Sequence, residues 1–551
     1  MSFFDDASLV FLPSGQAGKD GKAYSMKPTN GDGDFTFSRG SNLTATRVDS
    51  NGLIEKGREN LITQSNDLSD FTPQGLTTTP NQADPFGGNN ATLFTENLSG
   101  GNHRFYLLNV PSSSAVHTYS MYIKYSGRSR FKLVINGGNP NATFNTQTGA
   151  HITDSGNIID YKTESIGNDW HRVSFASVCS GWVGGYFVND SGQDSYTGDG
   201  TSGVVLFGAQ VELGLVATEY IESGATTGLA GILEDSPRFD YSGGASCASL
   251  LLEPSRTNLL EYSEYFEGSG WTIQSGVTLT TNTTETLSPE GLYNATKAVG
   301  DGTNGIFNNA SSSGSHARSV YLKSVSGTIN IRISDPYAGG LAQIKSVTTE
   351  WQRFDMIGDT GGSNCGIFID DIPSSGVYIW GAMLEQGSYP TSYIPNHSGG
   401  SVTREADSFE KTGLSSVIGQ TEGTIFFEFE YSHQEINVPF FRVFEDTSNL
   451  YEIIALSSYK LRSRARIGGS IVAAIDTSSV VSEGTHKVAI IYKSRGYKFY
   501  LDGSLVGSST ENSIVSNPSE INYFNNNNNL KQFLVFPEAL SEAECITLTT
   551  L

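Results

Sequence analysis

Between Cys179 and Asp199 the chain reads "CSGWVGGYFVNDSGQDSYTGD". Two kinds of chemistry are written there. Trp182 and Tyr186 stand among glycines, with Tyr196 ten residues on. An aromatic ring displayed on a loop can stack on the apolar face of a pyranose, while neighbouring polar groups fix its hydroxyls. Asp190, Asp194 and Asp199 follow within ten residues, beside Asn189 and a run of backbone carbonyls. Hard cations such as Ca²⁺ require oxygen clusters of this type, although the spacing is not that of an EF-hand loop. Each reading has a plain alternative. Tryptophan is usually well buried, and Tyr186-Phe187-Val188 also reads as a strand. Aspartate in a glycine-rich turn commonly serves the turn itself.

Other aromatic residues point inward. Trp170 and Trp351, and likewise Phe207 and Trp380, occupy matched positions in two halves of the chain, which implies packing. Trp271 is read in the same way. No catalytic signature stands out. The 57 Asp and Glu residues guarantee accidental carboxylate pairs. No two of the eight histidines lie within five residues of one another, so compact metal motifs are missing. There is no G-x-S-x-G elbow, P-loop or dinucleotide fingerprint. The chain is therefore expected not to be an enzyme.

The elements that hold these residues come from a repeat. "FGAQVELGLVATEYI" at residues 207–221 and "WGAMLEQGSYPTSYI" at 380–394 align without a gap, and 7 of the 15 positions are identical. Matches continue upstream in the same order: "RENLITQSNDL" with "RTNLLEYSEYF", "HTYSMYIK" with "HARSVYLK", "NDWHRVSF" with "TEWQRFDM". Preserved order with a drifting offset means one fold with loops of different length. Arg58 and Arg256 open the matched stretches and are read as structural anchors. Apolar and polar residues alternate within the matches, as in "GTINIRIS", which is the period of a half-buried strand. Short strands with Gly, Asn and Ser turns indicate antiparallel sandwiches or jelly rolls.

The third region, residues 401–551, has its own signals. "TEGTIFFEFEY" is a strand. "HKVAIIYKSRGYKFYLDGSLVGSS" reads as two hairpins turning at Arg495-Gly496 and at Asp502-Gly503, the latter a type I′ signal. Ser541 and Glu544 form a capping box for a short terminal helix. "FNNNNNL" at 524–530 is read as a loop.

Composition narrows the partners. The chain of 551 residues carries 34 Lys and Arg against 57 Asp and Glu, a net charge of −23. That field repels phosphate backbones and anionic lipid, so neither nucleic acid nor membrane insertion is expected. No apolar run reaches the length of a membrane span, and the start "MSFFDDASLV" has no secretory pattern. The cysteines at 179, 247, 365 and 545 are too dispersed for a zinc or redox motif.

The turn-and-strand phrases ending in "TEYI" and "TSYI" resemble the carbohydrate-binding-module-like jelly rolls of virion proteins of tailed bacteriophages. Residues 237–266, "PRFDYSGGASCASLLLEPSRTNLLEYSEYF", resemble the linker before such modules in phage fibre and tail proteins. Residues 7–55 look like the N-terminal segment of the same proteins, and the last region looks like a concanavalin A-like (laminin G-like) sandwich. The resemblance implies an all-β fibre or receptor-binding adhesin on a virion, synthesised in the host cytoplasm. The expected parts are an N-terminal docking segment (1–54), two jelly rolls (55–225 and 250–396) joined by a linker (226–249), and the terminal sandwich (401–551). The implied partners are other virion proteins through the N-terminus, a host surface glycan and further copies of the chain, a trimer among the options. A head fibre or decoration protein and a secreted polysaccharide-degrading enzyme with accessory modules are the alternative readings.

Overall fold

The computed structural model describes residues 3–13, 21–40, 43–135, 139–338, 340–359, 361–434, 436–524 and 528–551. The protein is all-β and its sheets are antiparallel, folded as three sandwiches. Among the described residues no helix is long and apolar enough to cross a membrane.

In the first module, two six-stranded sheets face each other. One has the order His151–Ser155, Asn141–Asn145, Arg130–Ile135, Trp182–Val188, Arg104–Leu108, Thr72–Gln74. The other has Ala115–Ser126 and Gly203–Leu213 at its centre. Phe94, Phe105, Phe131, Phe175 and Phe187 fill the space between them. The second module repeats the plan with two five-stranded sheets, and its core draws on Ile331, Ile333, Ile367 and Ile369. The alternation in "GTINIRIS" therefore resolves as expected, with Ile331 and Ile333 facing inward.

The repeated phrase has a physical explanation. In each copy one strand bulges: Gly208-Ala209 together oppose Met121, and Gly381-Ala382 together oppose Val320. Gly208 and Gly381 sit at φ 62° and 60°, where a side chain is strained. The phrase's glutamate then closes the loop that follows. Glu212 accepts from the Thr218 amide at 2.9 Å and hydroxyl at 2.6 Å, and Glu385 accepts from both groups of Thr391 at 2.7 Å. Tyr220 and Tyr393 bond the Ser65 and Ser263 hydroxyls at 2.6 and 2.7 Å. Asn60 and Asn258 donate to the carbonyls of Ile221 and Ile394, each at 2.9 Å. Arg58 and Arg256 are the expected anchors, 3.8 Å from Glu212 and 3.6 Å from Glu385. The two glycines are not equivalent in space. A Cβ at Gly208 would stand 2.8 Å from the Tyr122 ring, and one at Gly381 would stand 3.3 Å from Tyr321. Gly208→Ala should therefore lower stability more than Gly381→Ala in thermal melts. The unfavourable φ accounts for about 1–2 kcal/mol in both.

The third sandwich corrects the expected domain boundaries. It is built from two eight-stranded sheets, and they recruit strands from outside residues 401–551. Leu9–Phe11 pairs with Asn529–Phe536. Phe35–Ser38 pairs with Ser408–Lys411. Arg238–Asp240 and Ser249–Leu251 form the edge of the other sheet. The described parts of residues 1–54 thus do not form a separate unit, and residues 226–249 are not simply a linker. The cause is their apolar alternation: Leu9, Phe11, Phe35 and Phe37 are at most 1% exposed, and Phe35 stacks on Phe409 with ring centres 4.3 Å apart. A further part of that stretch, the hairpin of Thr46–Val48 and Ile54–Lys56, lies against the second module, where Val48 and Ile54 pack with Trp380 and Tyr393. The local readings of the third region agree with the structure. Glu422–Tyr431 is a strand, Asp502 and Gly503 both have positive φ, and the Ser541/Glu544 capping box is formed. Of the "FNNNNNL" stretch, 525–527 lie outside the described residues, and Asn529 and Leu530 open a strand rather than a loop.

Two buried ion clusters lock the parts together. Arg39, Arg238 and Arg404 converge on Glu253 and Asp407, with each of these side chains at most 2% exposed. Lys56 reaches Glu264 at 2.9 Å and Glu290 at 2.8 Å across to the second module. Burial works against the Lys56 charge, but the two carboxylates raise its pKa on balance.

Candidate functional site

The outer face of the first module's Trp182 sheet collects the side chains that sequence reasoning singled out, and adds others. Strand register creates the rows. Arg104 lies opposite Gln74 on one side and Tyr186 on the other, and Tyr186 lies opposite Lys132. Lys132 in turn faces Thr143. One row across five strands therefore reads Gln74, Arg104, Tyr186, Lys132, Thr143. The adjacent rows carry Tyr106 opposite Gly184, and Leu108 opposite Trp182. A Cβ at Gly184 would run into the Phe105 carbonyl oxygen, so this position stays bare and the rings beside it form the walls.

Within this face Tyr106 and Trp182 meet edge to face, ring centres 5.8 Å apart. The Arg104 guanidinium lies over Tyr106, Trp182 and Tyr186 at 5.4, 5.9 and 5.5 Å, a cation–π arrangement that holds it in place. It donates from Nε to Gln74 Oε1 at 2.8 Å and from Nη1 to the Tyr186 hydroxyl at 2.6 Å. Trp182 and Tyr106 are half-buried, Tyr186 is 6% exposed, and Leu108 beside Trp182 is 59% exposed. The structure thus brings Trp182 and Tyr186 together, with Trp182 available and Tyr186 acting as a support for Arg104.

Tyr196 goes elsewhere. Its hydroxyl donates to Glu96 Oε2 at 2.6 Å, Arg128 pairs with the other oxygen of that carboxylate at 2.6 Å, and its ring lies on His103. Burial and the Glu96 carboxylate both push the Tyr196 phenol up. It anchors the 189–199 loop and does not belong to the aromatic face.

The three aspartates do not converge. Asp190 accepts from the Ser129 hydroxyl at 2.6 Å, and Asp194 pairs with Lys132 at 2.7 Å. Asp199 caps its own turn, accepting from the Thr201 and Ser202 amides at 2.7 Å, and these bonds, led by that of the Ser202 hydroxyl, lower its pKa. Among the described residues no group of three acidic, histidine or cysteine side chains is placed to hold a metal ion. The expected Ca²⁺ ligands are instead three separate loop fasteners, each satisfied by a nearby cation, hydroxyl or amide.

The matched tryptophans pack, though not all inside the sandwiches. Trp271 is 7% exposed in the second core. Trp170 and Phe207 pack with Tyr122 on the outside of the first module's other sheet. Trp380 does the same with Tyr393 in the second, and Trp351 lies partly buried against them.

The second module provides an internal comparison. Register places Gly305, Asp370 and Arg332 where the first module has Arg104, Tyr186 and Lys132, and Asn309 and Gly366 where it has Leu108 and Trp182. There Arg332 pairs with Asp370 and, at 3.2 Å, with Asp371. Between these two rows Phe307 and Phe368 lie opposite each other, edge to face with ring centres 5.5 Å apart. The matching face of the second module thus keeps a ring pair but has no cation in Arg104's place.

Cavities occur where the modules meet. The larger, about 580 Å³, is lined by Glu55, Lys56, Arg58, Tyr220, Glu222 and Glu290 among others. Its buried charges already neutralise one another: Arg58 lies 3.6 Å from Glu290, and Lys56 lies 2.8 Å from it.

No protein-family model matches this chain, and no curated protein matches it. Solved structures show partial likeness. The CBM40 module of a Ruminococcus gnavus IT-sialidase bound to α2,6-sialyllactose is 14% identical, covering 25% of this chain and 91% of that one, with a TM-score of 0.22. Domain 4 of the arabinanase AbnA of Geobacillus stearothermophilus, in complex with arabinotriose, is 12% identical over 30% of this chain and 84% of that one, with a TM-score of 0.21. The CBM22-1–CBM22-2 tandem of Paenibacillus barcinonensis Xyn10C is 9% identical over 63% of this chain and 99% of that one, with a TM-score of 0.20. Likeness at this level leaves the ligand of the present chain to be argued from its own residues.

Proposed function

We propose that this protein is a glycan-binding adhesin on the particle of a tailed bacteriophage, and that the outer face around Trp182 is where it touches the host glycan. The observation that carries the binding reading is the Tyr106–Trp182–Arg104 cluster beside exposed Leu108. Apolar ring surface is left accessible on a rigid sheet, bordered on one side by the Gln74 amide. Sugars present the complementary pattern, a C–H face ringed by hydroxyls. The site acts by binding and not by cleavage. Glu264 and Glu290, the paired buried carboxylates at the junction, are both committed to Lys56. The virion reading rests on the phrases at residues 7–55 and 237–266. Attachment to other virion proteins would use the solvent side of strands that the third sandwich has absorbed.

One site per chain should bind in the millimolar to micromolar range, about −4 to −8 kcal/mol. Because the second module lacks the cluster, useful adhesion comes from several chains on one particle. Trp182→Ala should weaken glycan binding by about tenfold or more, as expected for an aromatic anchor, and leave the melting temperature close to that of the wild type. Glycan-array binding and host-cell adsorption measure the first effect, and calorimetry the second. A variant that melts several degrees lower and binds normally would make Trp182 a packing residue. Shortening of host polysaccharide by the purified protein, read on a sizing column, would overturn the non-catalytic reading.

A further inference from the structure

We propose that the glycan taken by this face carries a carboxylate, and that Arg104 receives it; the inference rests on the glycan-binding reading above. Arg104 is held by neutral partners. Its Nε and Nη1 are occupied by an amide and a phenol, its faces by three aromatic rings, and no carboxylate pairs with it among the described residues. Nη2 has no hydrogen-bond partner among them.

Several other cations on outer sheet faces of this chain have a carboxylate partner. Lys132, in the same row, has Asp194 at 2.7 Å. Arg332, in the matching row of the second module, has Asp370 and Asp371. On the third sandwich Arg442 and Arg464 share Glu452, and Arg462 has Asp476 at 2.6 Å. With 57 acidic side chains against 34 basic ones, a partner for Arg104 would be easy to supply. A guanidinium whose orientation is set by Gln74 and Tyr186, and which keeps donors unused, is prepared for an external anion.

The same features select the kind of anion. Beside the rings there is one cation without a carboxylate partner among the described residues, since Lys132 is neutralised; Arg130 also lacks one but lies a row further on, opposite Val188, on the side away from Trp182 and Tyr106. A phosphate or sulfate polymer, with high charge density, draws on several cations and meets the repulsion of a chain at −23. A uronic or sialic acid brings a single delocalised charge on a ring whose C–H face can lie against Trp182 and Tyr106. In the second module Gly305 stands in place of Arg104 and Gly366 in place of Trp182, so that module keeps only the Phe307–Phe368 ring pair and has no cation in Arg104's place.

The test uses the full-length protein and matched probes in titration calorimetry. The pairs are a galacturonate oligosaccharide against its carboxyl-reduced form, sialyllactose against lactose, and dextran sulfate against dextran. At least one carboxylated member should bind tenfold or more tightly than its neutral partner, with the preference shrinking as salt rises. Arg104→Gln should erase that preference and keep residual binding of the neutral sugar, and Arg104→Lys should keep part of it. Circular dichroism checks that both variants fold. Equal binding of neutral and carboxylated partners, or a preference that survives Arg104→Gln, would overturn the inference while leaving the glycan site intact. Preference for dextran sulfate over every carboxylated probe would replace the carboxylate with a polyanion. Binding of no probe at all, neutral or charged, would count against the glycan-binding reading itself.

Discussion

A protein lacking residues 1–45 should lose the folded third sandwich, even though the deletion ends more than 350 residues before that domain's own sequence begins at 401. The removed stretch supplies Leu9–Phe11 to one sheet and Lys22–Ala23 and Phe35–Ser38 to the other. Leu9, Phe11, Phe35 and Phe37 are at most 1% exposed, and Phe35 and Phe11 both pack on Phe409. Deleting one such ring, as in Phe35→Ala, should cost about 3–5 kcal/mol, a large fraction of the ~5–15 kcal/mol stability of an ordinary domain. Losing all four together exceeds that margin. Calorimetry on the truncated protein should show the transition of the third sandwich missing, and limited proteolysis should cut within 401–551. A truncated protein that keeps every transition would mean that these strands are dispensable trim. Absence of such a truncated protein from particles would not by itself establish N-terminal docking, because the deletion unfolds a domain. Docking is better tested by charge changes on exposed positions of the same segment.

The second large effect is expected at Asp407. Its carboxylate faces Arg238 and lies 3.3 Å from Arg39, while Glu253 serves Arg238 at 2.6 Å and Arg404 at 2.8 Å. Three guanidiniums and two carboxylates already leave one positive charge in excess. Asp407→Asn raises the excess to two in a buried site. Removing one partner of a buried ion cluster costs about 3–5 kcal/mol, because the other charge stays desolvated. The N-terminal segment, the start of the second module and the third sandwich should loosen together, since Arg39, Glu253 and Asp407 come one from each. Chemical denaturation monitored by tryptophan fluorescence would measure the loss, and an unchanged midpoint would refute the clamp. The cluster also predicts acid lability. Burial opposes the charge of Glu253, but Arg404, Arg238 and the Ser392 bonds hold its pKa at about 2 against an ordinary 4.5. Its contribution is complete above pH 4.5 and is lost as pH falls toward 2. The wild type should therefore destabilise across that window, and Glu253→Gln should flatten this part of the profile.

Much was readable from the sequence, because it is encoded locally. Period-two alternation marks strands wherever they end up, so the strand content, the repeat and the hairpin at Asp502-Gly503 needed no knowledge of the fold. The matched phrase followed from the same cause: a bulge glycine, a capping glutamate and a buried tyrosine hydroxyl each require one residue type at one spacing. Trp182 and Tyr186 were visible as rings set among glycines, but the loop expected to display them is a strand, Trp182–Val188.

What the tertiary structure decided is which strands became neighbours. Arg104 lies more than 80 residues from Tyr186 in sequence and faces it only through antiparallel register; nothing near Arg104 in the sequence marks it as half of a site. Asp190, Asp194 and Asp199 are close along the chain but point to Ser129, Lys132 and their own turn, because a loop disperses side chains that sequence proximity groups together. Residues 1–54 were read only as an N-terminal docking segment, and the strands they contain pair with the far end of the chain. A strand's alternation states that one face must be buried, but the period-two pattern is the same for every strand and carries no address for the surface that will bury it. That address is set by the core whose space the side chains fit, and here it was the third sandwich for Leu9, Phe11, Phe35 and Phe37.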